Sequence, residues 1–214
     1  MPSAEDQQKR TLVVVGNGVA SAVPDRCRIF ASLRVTRESV ADAIGDVASL
    51  SEAARTAIRD SGVNDGDVRT QDLQVQDWFD HDQQQVTARV ATYTFTVEVR
   101  DLGEVSSLVG MLAATVGDAL QIQSIAFSHS DHASLLAVAR RAAITDALAR
   151  AEELAEAAGV GIGDILTIEE GAGAGGGWSG YAVSTGARLG ASAMPIEPGT
   201  QSVTARVAVT YALL

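Results

Sequence analysis

Ser128-His129-Ser130-Asp131-His132 is the one stretch of this chain with the density of a metal or acid–base site, having two imidazoles and a carboxylate within four residues. Zinc needs three or four converging ligands, each held by a further partner, and only His81 remains to complete such a set. The cluster also lies just ahead of a helical pattern, where Ser and Asp serve as ordinary caps. His129, Asp131 and His132 are the metal or small-molecule candidates. Other chemistry is sparse. No serine sits in a Gly-x-Ser-x-Gly elbow. The glycines of Gly171–Gly177 are followed by no Gly-Lys-[Ser/Thr], so they are not a phosphate loop. Gly16-Asn17-Gly18 leads to a turn and Pro24, where a dinucleotide site would need a helix. No catalytic residue and no cofactor site are assigned. Cys27, the single cysteine, excludes an intrachain disulfide and reads as a small core residue.

The aromatic residues are more informative. Trp78 and Phe79 lie in one polar connection, and Trp178 and Tyr181 lie in the glycine-rich segment from Gly171 to Pro198. Aromatics on loop tips are what interfaces use. Trp78, Phe79, Gly175, Trp178, Tyr181 and Met194 are therefore the interface candidates, with local packing as the alternative.

Those connections are positioned by strongly patterned elements. Ser39 and Asp42 open a helix carrying Val40, Ala43, Val47, Leu50, Ala54 and Ala57, and Gly62 stops it. Asp101 and Glu104 open a second, through Leu102, Val105, Leu108, Val109, Leu112 and Val116 to Gly117. A third runs from Ser130–His132 through Leu135, Val138, Ala142, Leu148 and Leu154 to Gly159, rich enough in Ala for close packing. Period-two alternation predicts strands over Cys27–Val35, Ala91–Val99 and Val203–Leu213, each covered on one face. Pro24-Asp25 is read as turning the chain back from a strand at Leu12–Val15.

Two patterns recur in order. Gly-Val-x-x-Gly-Asp-[Val/Ile]-x-Thr begins at Gly62 and again at Gly159, an offset of 97. Thr-Ala-Arg-Val-Ala begins at Thr87 and again at Thr204, an offset of 117. A duplicated helix–strand–strand unit, over about 39–100 and 131–214, accounts for both. The difference of 20 residues falls between the paired strands of the second copy. The glycine-rich segment (171–198) is thus an expanded hairpin connection within one domain spanning 11–214, after a disordered tail over 1–10. The fold class expected is α+β, with largely antiparallel sheet and helices packed on one face.

At 214 residues and 46% apolar, the chain is long enough for a sizeable core. A formal net charge of −11 argues against nucleic acid and anionic membrane as partners. No run approaches the ~18–20 apolar residues of a membrane span, and the first residues carry no signal-peptide core. A cytoplasmic protein is expected.

Four stretches together resemble the SIMPL-domain family, which includes bacterial 26 kDa periplasmic immunogenic proteins and a mammalian kinase adaptor. They are VVVGNGVASAVPDRCRI (Val13 to Ile29), the Gly62–Thr70 motif, AVARRAAITDALARAEELAEAAGV (Ala137 to Val160) and MPIEPGTQSVTARVAVTYAL (Met194 to Leu213). Ala91-Thr92-Tyr93-Thr94-Phe95 departs from the Gly-Tyr-x-Ala common in the family's central strand. The resemblance implies an α+β fold, assembly into ring- or channel-like homo-oligomers, a stress or envelope role, and no shared catalytic residues. A protein partner, as for the adaptor, is the further alternative.

Overall fold

The computed structural model describes residues 10–80, 84–171 and 198–214, which form two compact units. One unit takes residues 24–130; the other takes 10–23, 131–171 and 199–214. Each is α+β with an antiparallel sheet and its helices on one face, as the alternating strands and capped helices require.

Residues 24–130 contain β2 (Arg26–Arg37), α1 (Val40–Asp60), β3 (Val68–Asp80), β4 (Gln85–Val99), α2 (Val105–Val116) and β5 (Leu120–Ser128), in sheet order β3-β4-β2-β5. The period-two face behaves as expected. Cys27, Ile29, Ala31, Leu33 and Val35 of β2 are buried with Ala91, Phe95, Val97 and Val99 of β4. Over them lie Ala43, Val47, Ala54 and Ile58 of α1, and Val105, Leu108, Leu112 and Val116 of α2. The caps are those anticipated. Ser39 accepts the Asp42 amide, α1 ends just before Gly62 at φ +86°, and Gly117 follows α2 at φ +57°. Such left-handed backbone favours glycine. Asp101 caps a single 3₁₀ turn ahead of α2 rather than α2 itself.

The other unit comprises β1 (Thr11–Ala22), α3 (His132–Ala158), β6 (Ile162–Glu170) and β7 (Gln201–Leu213), in sheet order β1-β7-β6. One expectation is corrected here. Pro24-Asp25 does not close a hairpin: β1 pairs with β7, Thr11 opposite Ala212, while β2 pairs with β4 and β5. The strand read at Leu12–Val15 runs on through Gly16-Asn17-Gly18 to Ala22.

The face of α3 is also unlike the one its larger residues indicate. Val138, Leu148 and Leu154 are 42–51% exposed, and the buried stripe is Ala139, Ala143, Ala147, Ala151 and Ala155. The cause is the closeness of β1. A Cβ at Gly16 would stand 2.0 Å from the Ala143 carbonyl oxygen, and one at Gly18 would stand 2.0 Å from that of Ala139. Helix and strand meet backbone to backbone, so glycine is needed on one side and alanine on the other. Asp146 locks the pair. Its Oδ2 accepts the Asn17 amide at 2.8 Å, on the edge of β1 that β7 does not cover.

Candidate functional site

The β3–β4 hairpin carries the aromatic candidates that the structure describes. Among the described residues β3 is an edge strand, paired with β4 alone, and most of its residues are exposed. The ladder continues to Asp80 opposite Gln85, so the hairpin is long. Trp78 is 52% exposed and Phe79 44%, and Phe79 stands opposite Val86, itself 41% exposed. Large apolar side chains exposed near the end of an edge strand are the kind of surface that interactions use. Gly175, Trp178, Tyr181 and Met194 lie outside the described residues, as do His81 and the rest of 172–197.

The residues of the histidine cluster divide between the two units. Asp131 caps α3, accepting the Ser134 amide at 2.9 Å, and His132 is the first residue of that helix. His129 belongs to the 24–130 unit, next to Ser130, whose backbone amide donates to Asp25 at 2.7 Å. The Ser130 hydroxyl and amide together hold the Asp25 carboxyl below its ordinary range, with His129 assisting. Among the described residues no group of three or more His, Cys, Asp or Glu is placed to hold a metal ion. Cys27 is fully buried, and desolvation pushes its thiol up to about 11, the state of an inert core residue. Among the described residues no helix is long and apolar enough to cross a membrane.

A second feature was only half legible. Arg26, Arg28, Ser32 and Arg34 occupy the side of β2 away from the helices, as their alternation indicates. The structure adds what β3 and β4 bring to that side. Arg28, Phe30, Asp67, Arg69, Gln71, Thr96, Glu98 and Arg100 line a depression of about 310 Å³. Arg28 pairs with Glu98 at 3.3 Å, and Arg100 with Asp67 at 2.7 Å. The Arg100 hydrogen bond is the main reason the Asp67 carboxyl is held down, with Asn64 and the charge of Arg26 adding to it. Gln71 Nε2 donates to Thr96 Oγ1 at 3.2 Å, and Gln123 Nε2 donates to the buried Ser32 Oγ at 2.9 Å. The signal available in the sequence was alternating arginine in an acidic chain. The contributions of Arg69 and Arg100 depend on strand register, which alternation does not reveal.

Comparison with known proteins places these features in a family. Residues 12–211 match the model of the SIMPL family, described as a protein of unknown function (DUF541). The chain is similar to the 26 kDa periplasmic immunogenic protein of Brucella melitensis biotype 1, at 25% identity over 170 residues, covering 76% of this chain and 67% of that protein. The protein of the same name from Brucella abortus strain S19 matches with the same identity and coverage. The chain belongs to the SIMPL family. These relatives overturn the cytoplasmic expectation, which rested only on the lack of a leader-like run: both are named as periplasmic.

Proposed function

We propose that this SIMPL chain is an exported, non-enzymatic protein that self-assembles into a large ring- or channel-like homo-oligomer of the cell envelope. The observation that carries this is the end of the β3–β4 hairpin, where Trp78, Phe79 and Val86 are 41–52% exposed beside an uncovered edge strand. Surface of this kind is costly to leave in water, and a second copy both buries it and extends the sheet. The names of the Brucella relatives support a periplasmic setting.

Size-exclusion chromatography with light scattering tests the proposal. The full chain is expected at a multiple of 22.2 kDa, and Trp78→Ser/Phe79→Ser at a lower mass with unchanged circular dichroism. A wild-type chain that stays at 22.2 kDa at tens of micromolar would end this account.

A further inference from the structure

We propose that the depression on the helix-free side of the β3-β4-β2-β5 sheet binds a small oxyanion, a phosphate or carboxylate group, with Arg69 as its principal ligand. The case rests on which hydrogen-bonding groups are already used. The two acceptors with charge, Asp67 and Glu98, are each engaged by an arginine, Arg100 and Arg28. Thr96 Oγ1 accepts from Gln71, which leaves its own O–H to donate. Arg69 lines the same depression with no ion pair or hydrogen bond among the described residues. Its guanidinium offers up to five donors in a planar fork suited to a carboxylate or phosphate. Arg28 and Arg100 each use one Nη2 in their pairs and keep further N–H groups.

The site is therefore rich in donors, and both of its carboxylates already accept from an arginine. Three guanidiniums, one of them unpaired among the described residues, favour a ligand that accepts, which is the chemistry of an oxyanion. Charge points the same way. Arg28, Arg69 and Arg100 against Asp67 and Glu98 make the depression locally positive on a chain of formal net charge −11. Arg26, next along this side of β2, adds to it. Its Nη1 is buried without a hydrogen-bond partner among the described residues, and its charge is felt at Asp67. A volume of about 310 Å³ suits a phosphate or a short carboxylic acid better than a large cofactor.

The experiment is calorimetric titration of the full chain at low ionic strength with inorganic phosphate and, separately, with succinate. Arg69→Gln, Arg69→Lys and Arg34→Gln are compared with wild type. Arg34 is exposed on the same side of β2 but does not line the depression, so it controls for general charge. The expected result is saturable binding of at least one anion, weakened about tenfold or more by Arg69→Gln. Arg69→Lys, which keeps the charge and loses the fork, should fall between, and Arg34→Gln should match wild type. Binding of phosphate alone assigns a phosphate-bearing ligand, and binding of succinate alone a carboxylic acid. No saturable binding of either anion overturns the proposal, as does equal weakening by Arg69→Gln and Arg34→Gln. Arg69 is exposed, so both Arg69 variants should keep the wild-type melting curve.

Discussion

Adding one methyl group at Gly18 and at Gly45 should have opposite effects, and the contrast tests how α3 is seated on β1. At Gly18 the new Cβ would lie 2.0 Å from the Ala139 carbonyl oxygen and 2.4 Å from the Ala143 nitrogen, both backbone atoms that cannot rotate aside. Ordinary contact needs about 3.5 Å, so α3 has to withdraw by roughly 1.5 Å or β1 has to bend. Withdrawal loosens Ala139, Ala143 and Ala147, all fully buried, and stretches the 2.8 Å bond from the Asn17 amide to Asp146. Overpacking against rigid neighbours costs about 3 kcal/mol at the upper end of its usual range. For a chain of this size that is a fall in Tm of about 6–12 °C. Gly45 stands in α1 with nothing among the described residues within 4 Å of an added Cβ, so Gly45→Ala should gain about 0.5–1 kcal/mol from helix propensity. Circular dichroism at 222 nm is the assay, because α3 supplies 27 helical residues against the 21 of α1 and 12 of α2. If the unit containing α3 melts first in Gly18→Ala, a little under half of the helical signal leaves early. A Gly18→Ala melt within 1 °C of wild type, or an equal loss from Gly45→Ala, would refute the backbone-contact account.

Asp146 should matter at neutral pH and not in acid. Its carboxyl is held below 3.8, first by the Asn17 amide and then by Arg150, so the folded state binds its proton later than the unfolded chain does. The stability that Asp146→Asn removes is therefore full above the unfolded value, and the gap between variant and wild type closes as pH falls through the folded one. Denaturant midpoints measured from pH 7 to pH 2.5 would show this, and a gap that does not depend on pH would count against it. The single Cys27 thiol, buried and pushed up to about 11, should stay silent to Ellman's reagent at pH 8 until the chain is denatured, and then release one equivalent. Tyr211 is 2% exposed, and its hydroxyl has no hydrogen-bond partner among the described residues. Tyr211→Phe should therefore hold or raise the melting temperature; a loss above about 1 kcal/mol would reveal a hydrogen bond to that hydroxyl.

What was legible in the sequence divides along physical lines. Local patterns carried through, because alternation and capping are set by residues that are neighbours in the chain. The inward face of β2 and the Ser39 cap are examples. Pairing did not carry through. The partner of Thr11 is Ala212, and nothing in either strand's alternation names the other. The orientation of α3 failed for a different reason. Large apolar residues normally mark the buried face, but a strand carrying Gly16 and Gly18 admits only small ones, so the alanines went in and Val138, Leu148 and Leu154 stayed out. The oxyanion depression failed as pairing did. Arg28 and Glu98 face each other across β2 and β4, and Arg69 is opposite Thr96, only by register.

Register also bears on the internal repeat. The Gly62 and Gly159 motifs share a backbone reason, since both glycines follow a helix at positive φ, +86° and +68°. The two Thr-Ala-Arg-Val-Ala stretches share no such reason. Ala91 is buried under α1 and α2, whereas its counterpart at an offset of 117, Ala208, lies outside the core cluster that buries Val207 and Val209. An odd offset exchanges the faces of a strand. Val68 and Ile165 are equivalent in the glycine motif; Val68 stands opposite Val97 and Ile165 opposite Tyr211, both buried. A duplication that keeps side chains on their proper faces must run through those two partners, at an offset of 114 (97 to 211). Set against the offset of 97 between the glycine motifs (62 to 159), the second hairpin connection is then longer by 17 residues rather than 20. The five-residue match sets Ala91 against a residue outside the core, whereas the glycine motif sets together positions whose strand partners are both buried.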